Sequence, residues 1–380
     1  MKKAIVIPDS FKGTLSSGEI CEIMTGAVKG QFPDCEIISV PVADGGEGSV
    51  DCFLTALGGE KVTLTVTGPY FKPMEAYYGL IDGGKTAVIE MAACAGLPLV
   101  ENNKNPEKTT TYGVGELILD AAKRGCKKMI VGLGGSCTND GGTGAAAAVG
   151  VRFYNDRGED FVPVGGTLSE IARIDASRRY AALDGIEIVT MCDIDNPFYG
   201  ENGAAYIFGP QKGADDEMVR RLDGGLRHLC GRIEDNLGLD LSAVPGGGAA
   251  GAMGAGMIAF FGSRLQMGIE TVLDTVGFDK MMCGADVVFT GEGKMDSQSL
   301  RGKVVIGVSR RAQKAGVPVV VIAGGLDEGL EPAYEIGVSA AFSINRLPQD
   351  FSVSRYASRE NMKFAMENIV RLWKAASKGE

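Results

Sequence analysis

Apolar positions along the chain fall into short runs that end in glycine-bearing loops, each usually followed by residues with helical spacing. AIVI predicts a strand over 4–7, the next amphipathic segment a helix over 17–31, EIISV a strand over 36–40, and the residues after the acidic glycine loop a helix over 49–57. That is βαβα patterning, which implies a parallel sheet. The far end repeats it, with strands over 286–290 and 317–323, a helix over 304–315, and a closing helix over 360–378 whose apolar residues are Phe364, Ile369, Leu372 and Trp373. Between the ends, VTLTVTGP, MEAYYGLI and KTAVIEM are short alternating or apolar runs parted by Gly-Pro and Asp-Gly, the pattern of antiparallel strands. From Tyr112 the alternation resumes, predicting helices over 115–124 and 141–149, strands over 128–132 and 186–192, and long helices from Asp215 and Ala249. The change of character near Gly59 marks a boundary. The expected fold is therefore α/β, with two α/β domains, one inserted into the other, and mainly parallel sheets plus an antiparallel portion. Residues 1–60 and 285–380 form one domain, 61–284 form the inserted one, and a catalytic cleft lies between them.

Charge and composition narrow the partner. A formal net charge of −10 argues against nucleic acid and anionic membranes and points to a small ligand. The nine cysteines include no CxxC and read as reduced thiols of a cytoplasmic protein, which disfavours structural zinc. The apolar core of MKKAIVIP is too short for a signal peptide or membrane span. The single histidine, His228, falls off the apolar stripe Met218, Leu222, Leu226, Leu229, Ile233 and Leu237 and is expected at the surface. Proton transfer then falls to a carboxylate, lysine or cysteine. Monomer and homodimer both remain open.

Four loops carry the candidate chemistry: PDSFKG at 8–13, ADGGEG at 43–48, GLGGSCTNDGG at 132–142 and GEGKMD at 291–296. Glycine lets backbone N–H groups approach an anion, and a following helix N-terminus adds partial positive charge. Carboxylates in such loops would repel bare phosphate, so Asp44, Glu47, Glu292 and Asp296 imply Mg²⁺ or a proton acceptor beside it, which is the apparatus of phosphoryl transfer. Lys12 and Lys294 can neutralise a transferring phosphoryl group, and Asp9 and Ser10 can hold metal or substrate. Gly45, Gly46, Gly134, Gly135, Ser136, Gly246, Gly247 and Gly248 are candidate phosphate or substrate contacts. Asp193 and Asp195 share a face if the strand before them persists. Asp44 and Glu292 are assigned to metal, and Asp193 and Asp296, with the two lysines, to catalysis.

GLIDGGKT at 79–86 matches a P-loop, but Asp82-Gly83 between two strand-like runs reads as a hairpin turn. GGGAAG at 246–251 follows Pro245 and makes a poor dinucleotide fingerprint.

PDSFKG, VADGGEG, IEMAA, TTTYGVGELI, GGSCTNDGGTG, CDIDNP, FGPQKGA, GIETVLD and TGEGKMD, in this order, resemble the signatures of the type I glycerate kinase family. Cys137 and Lys294-Met295 depart from the commoner alanine and Arg-Leu while conserving size or charge. The resemblance implies ATP- and Mg²⁺-dependent phosphorylation of D-glycerate to 2-phosphoglycerate or 3-phosphoglycerate. Competing readings are a P-loop-type phosphotransferase acting on another small hydroxy acid and a non-catalytic nucleotide-binding regulator.

Overall fold

Among the described residues fourteen strands run in chain order as β1 (Lys3–Val6), β2 (Glu36–Ser39), β3 (Glu60–Thr67), β4 (Pro73–Ile81), β5 (Thr86–Glu90), β6 (Lys128–Gly132), β7 (Arg152–Tyr154), β8 (Asp160–Phe161), β9 (Arg173–Asp175), β10 (Glu187–Met191), β11 (Arg264–Gln266), β12 (Val287–Met295), β13 (Val319–Leu326) and β14 (Val338–Ser343). The computed structural model describes residues 1–43, 45–46, 48–296, 299 and 303–377. They form an α/β fold of two compact units, one comprising Met1–Asp44, Thr55–Leu57 and Gly268–Glu380, the other Gly45–Leu54 and Gly58–Met267.

The first unit holds a five-stranded sheet, ordered β14-β13-β12-β1-β2 and parallel throughout. Ala4 and Val6 pair on one side with Ile37 and Ser39 and on the other with Val287 and Phe289, so the first strand of the chain is an interior one. Ile20, Met24 and Val28 of the helix Ser17–Gln31 pack with Met362, Met366, Ile369 and Val370 of the helix Ser358–Ala376 in one core. The first of these helices opens with a capping box in which Ser16 and Glu19 satisfy each other's backbone N–H. The closing helix presents a different face from the expected one. Phe364 and Leu372 are exposed, and the two methionines fill the stripe instead.

The second unit has a six-stranded sheet, ordered β11-β10-β6-β5-β4-β3. β3, β4 and β5 pair antiparallel, as the turn signals predict, while β5 also pairs parallel with β6 and so joins the hairpins to a parallel half. A three-stranded antiparallel sheet, β8-β7-β9, completes it. Asp82–Gly84 forms the tight turn between β4 and β5, and β5 begins at Thr86, so no helix opens at the Lys-Thr pair that a P-loop requires.

Two other expectations change. GEGKM is strand rather than loop, because β12 continues to Met295 beside β13. Its glycines belong there since a Cβ on Gly291 would stand 2.0 Å from the Ile322 carbonyl oxygen. His228 is half-buried, with Nε2 2.7 Å from the Ile171 carbonyl oxygen, so this nitrogen donates and the ring is tethered rather than solvated. Among the described residues no helix is long and apolar enough to cross a membrane, and no disulfide forms.

Candidate active site

In the first unit the segment after β1 turns across the end of β12. The Asp9 N–H donates to the Gly291 carbonyl at 2.8 Å, and Phe11 and Leu15 close a tight turn that leaves Lys12 exposed. Asp9 is buried, with Oδ1 accepting the Ser10 N–H at 2.7 Å. Glu292, on β12, is only 5% exposed, and its Oε1 finds no hydrogen-bond partner. Burial pushes this carboxyl up to about 7, Ser299 and Lys303 pull it down, and the charges of Asp9 and Asp296 add to the rise. The Asp296 N–H donates to Ser299 Oγ at 3.1 Å, while Asp296 Oδ1 accepts the Ser299 N–H at 3.2 Å. Asp9, Glu292 and Asp296 are therefore brought to one place around a carboxylate too buried to ionise freely. Such a group gains most from a cation or a proton.

Lys294 is elsewhere engaged. Its ammonium lies 2.8 Å from Asp327 Oδ2 in a largely solvated ion pair. GIETVLD also turns out to be structural, since Glu270 and Asp274 hold the half-buried Arg311 of the helix Val304–Ala315.

In the second unit Gly45 and Gly46 lie directly on β6 and the loop that leaves it. The Gly134 N–H donates to the Gly45 carbonyl at 3.1 Å, and a Cβ on Gly132 would stand 2.3 Å from that same oxygen. Here glycine permits backbone to touch backbone. The helix Ser49–Leu57 does not offer an empty N-terminus, because the buried Glu90 at the end of β5 accepts the N–H groups of Gly48 and Val50. Asp44 and Glu47 lie outside the described residues.

Residues 132–142 are pinned from several sides. Leu97 donates to the Gly135 carbonyl, Cys137 to that of Ala95, and Gly141 to that of Gly251. The fully buried Asp140 accepts from the Thr111 N–H and hydroxyl at 2.8 Å each, and from the N–H groups of Gly142 and Gly144. Lys212, 2% exposed, donates to Ser136 Oγ at 2.9 Å and to the Thr138 carbonyl at 2.6 Å. Gly135 is exposed, which puts Ser136 next to the outer edge of this loop.

The glycines at 246–248 serve packing. The Gly247 and Gly248 N–H groups already serve Val244 and Asn196, and a Cβ on Gly248 would stand 2.2 Å from the Pro197 carbonyl oxygen. Asp193 and Asp195 are both exposed beyond the end of β10 at Met191, so strand alternation does not govern them.

Sequence reasoning did not single out Glu90 or Lys212, although IEMAA and FGPQKGA contain them. In each the signal was a charge in a run of small or apolar residues, where only a buried partner makes it tolerable.

Among the described residues no three His, Cys, Asp or Glu side chains are placed to hold a metal ion. Mg²⁺ ordinarily needs fewer, taking one or two carboxylates and completing its shell with phosphate oxygens and water. Asp9 and Glu292, hard oxygen donors of which one has an orphaned atom, fit that requirement.

The model of the glycerate kinase family matches residues 4–374. A glycerate kinase of Bacillus cereus is 44% identical over 99% of both chains. A glycerate 2-kinase of Escherichia coli is 43% identical over 90% of both. A crystal structure described as glycerate kinase 2 from Salmonella typhimurium superposes with a TM-score of 0.89, at 39% identity, over 99% of each chain. With its fold, its paired carboxylate and glycine loops and its near full-length likeness to these enzymes, the chain belongs to the glycerate kinase family of phosphotransferases.

Proposed function

We propose that the protein is a cytoplasmic enzyme that phosphorylates D-glycerate with ATP and yields 2-phosphoglycerate. The observation that carries the reading is the buried Glu292, with its orphaned oxygen, beside Asp9 in a chain of this family. The position of transfer is supported by the relative named glycerate 2-kinase.

Asp9 and Glu292 would hold Mg²⁺, which when bound neutralises charge on the phosphate oxygens. Lys12, exposed at the tip of its turn, supplies a positive charge for the transferring group. Asp296, kept in place by its reciprocal bonds with Ser299, is the candidate to accept the proton of the attacking hydroxyl. Asp193 is the alternative carboxylate for that role. In the second unit Ser136, Gly134 and Gly135 line the face offered to substrate. Lys294 contributes only a second, solvent-screened charge.

The test is ADP release with D-glycerate and a panel of other small hydroxy acids, followed by proton-coupled phosphorus NMR of the product. Phosphate on the secondary carbon couples to one proton and gives a doublet, which is the expected result. A triplet would place transfer on the primary hydroxyl, and absence of ADP release with any acid would remove the kinase reading.

A further inference from the structure

Lys212 is a buried cation that among the described residues hydrogen-bonds to Ser136 and Thr138 and has no carboxylate within ion-pair distance. Asp140, whose charge reaches it, spends both oxygens on Thr111, Gly142 and Gly144. Burying an ammonium without a counter-ion is unfavourable, and a fold that needed only a structural donor could use a neutral one. Burial lowers the group to about 8, with the carboxylate of Asp140 opposing the fall, so at neutral pH it remains mostly protonated.

A protonated amine has three donors and no lone pair. In the contact between Lys212 Nζ and Ser136 Oγ the serine must therefore accept, and its own proton must point elsewhere. Among the described residues that proton has no acceptor. Just inside it, Thr138 Oγ1 and both polar atoms of the Asn139 side chain are buried and without partners, so the loop carries more polar capacity than the protein itself consumes. Ser136 is the outermost of these groups, 7% exposed and adjacent to the exposed Gly135.

We propose that Lys212 is a positioning residue that locks the Ser136 hydroxyl as a polarised hydrogen-bond donor toward an oxyanion of the substrates, either the carboxylate of the hydroxy acid or a phosphate of the nucleotide. This rests on the kinase reading above. Lys212 does not touch the oxyanion. It fixes the direction of one hydroxyl and strengthens it as a donor, because a hydroxyl that accepts from a cation gives up its own proton more readily.

The experiment compares wild type, Ser136→Ala, Lys212→Met and the double variant in steady-state kinetics, varying D-glycerate and ATP in turn, with thermal melting of each. Ser136→Ala is expected to raise KM for one of the two substrates about tenfold, as loss of a hydrogen bond to a charged group does, while kcat stays within about twofold and the melting temperature holds. The substrate whose KM moves identifies the oxyanion. Lys212→Met should raise the same KM, and in the Ser136→Ala background it should add less than about twofold, since it acts through the hydroxyl. Unchanged KM for both substrates in Ser136→Ala, or an undiminished Lys212→Met effect in the double variant, overturns the proposal. Should Lys212→Met not fold, Ser136→Cys decides, because it keeps the size but weakens the donor: the same KM must rise, and a wild-type KM overturns the proposal. Wild-type protein that never turns over D-glycerate would sink the kinase reading itself, a different result.

Discussion

A carboxylate buried beside two others is an electrostatic cost that water cannot relieve, and at Glu292 that cost has a measurable sign. The folded value is about 7 against an ordinary 4.5, so the folded protein favours the neutral acid. Below pH 4.5 the group is neutral folded and unfolded alike and costs nothing. Above pH 7 it must be buried charged, so its contribution to stability is lost as pH rises through that window. Glu292→Gln, measured by melting without Mg²⁺, should therefore raise the melting temperature at pH 8 and leave it unchanged near pH 4.5. An equal shift at both pH values would mean that the substitution acts through packing. With Mg²⁺ and substrates the same variant should require more metal for half-maximal turnover. Asp9, Glu292 and Asp296 were readable as candidates because each sits at a strand end or in a glycine-flanked acidic run. Glu90 and Lys212 were not, because their meaning depends on partners tens of residues away: the start of the helix Ser49–Leu57 for one, Ser136 and Thr138 for the other. For Lys294 the motif places it with the acids but carries no sign of its ion pair with Asp327, on the segment after β13.

Elements were legible where periodicity was strong. Ser17–Gln31, Ser49–Leu57, Lys128–Gly132 and Val304–Ala315 have the predicted bounds, since caps, glycines and apolar spacing agree there. The edge strand β14, the small sheet of β7, β8 and β9, and the continuation of β12 through GEGKM were not, because glycine at a close backbone approach has the same signature as glycine in a loop. The same ambiguity separates two helix glycines by experiment. A Cβ on Gly115, in Tyr112–Lys123, would stand 2.2 Å from the Ala145 carbonyl oxygen, whereas one on Gly231, in Asp216–Leu237, meets nothing within 4 Å. Gly115→Ala should destabilise by about 1–3 kcal/mol through overpacking. Gly231→Ala should stabilise by about 0.5–1 kcal/mol through helix propensity. Urea titrations of the pair test this, and the two variants moving in the same direction would refute it.

At the scale of the molecule, the two units carry separate hydrophobic cores, one built on Ala4, Ile20, Phe289 and Met366, the other on Ile89, Leu117, Val131 and Leu226. Unfolding of such a chain is not required to be two-state. Calorimetry should return a calorimetric enthalpy larger than the van't Hoff enthalpy, with Gly231→Ala moving one component and Glu292→Gln at pH 8 moving the other. A single transition with equal enthalpies, shifted as a whole by both variants, would contradict this. The interior place of β1 in its sheet bears also on how the protein is born. Ala4 must wait for Val287 before its second neighbour exists, and at about 5–20 residues per second a ribosome needs roughly 15–60 s to supply it. Throughout that interval the nascent β1–β2 pair presents an open apolar edge, and before it closes the second unit, which ends at Met267, is complete in sequence and free to fold. For this chain the hazard of misassembly is therefore greatest at its amino terminus and lasts for most of its synthesis, which makes that edge the segment a chaperone would be expected to cover.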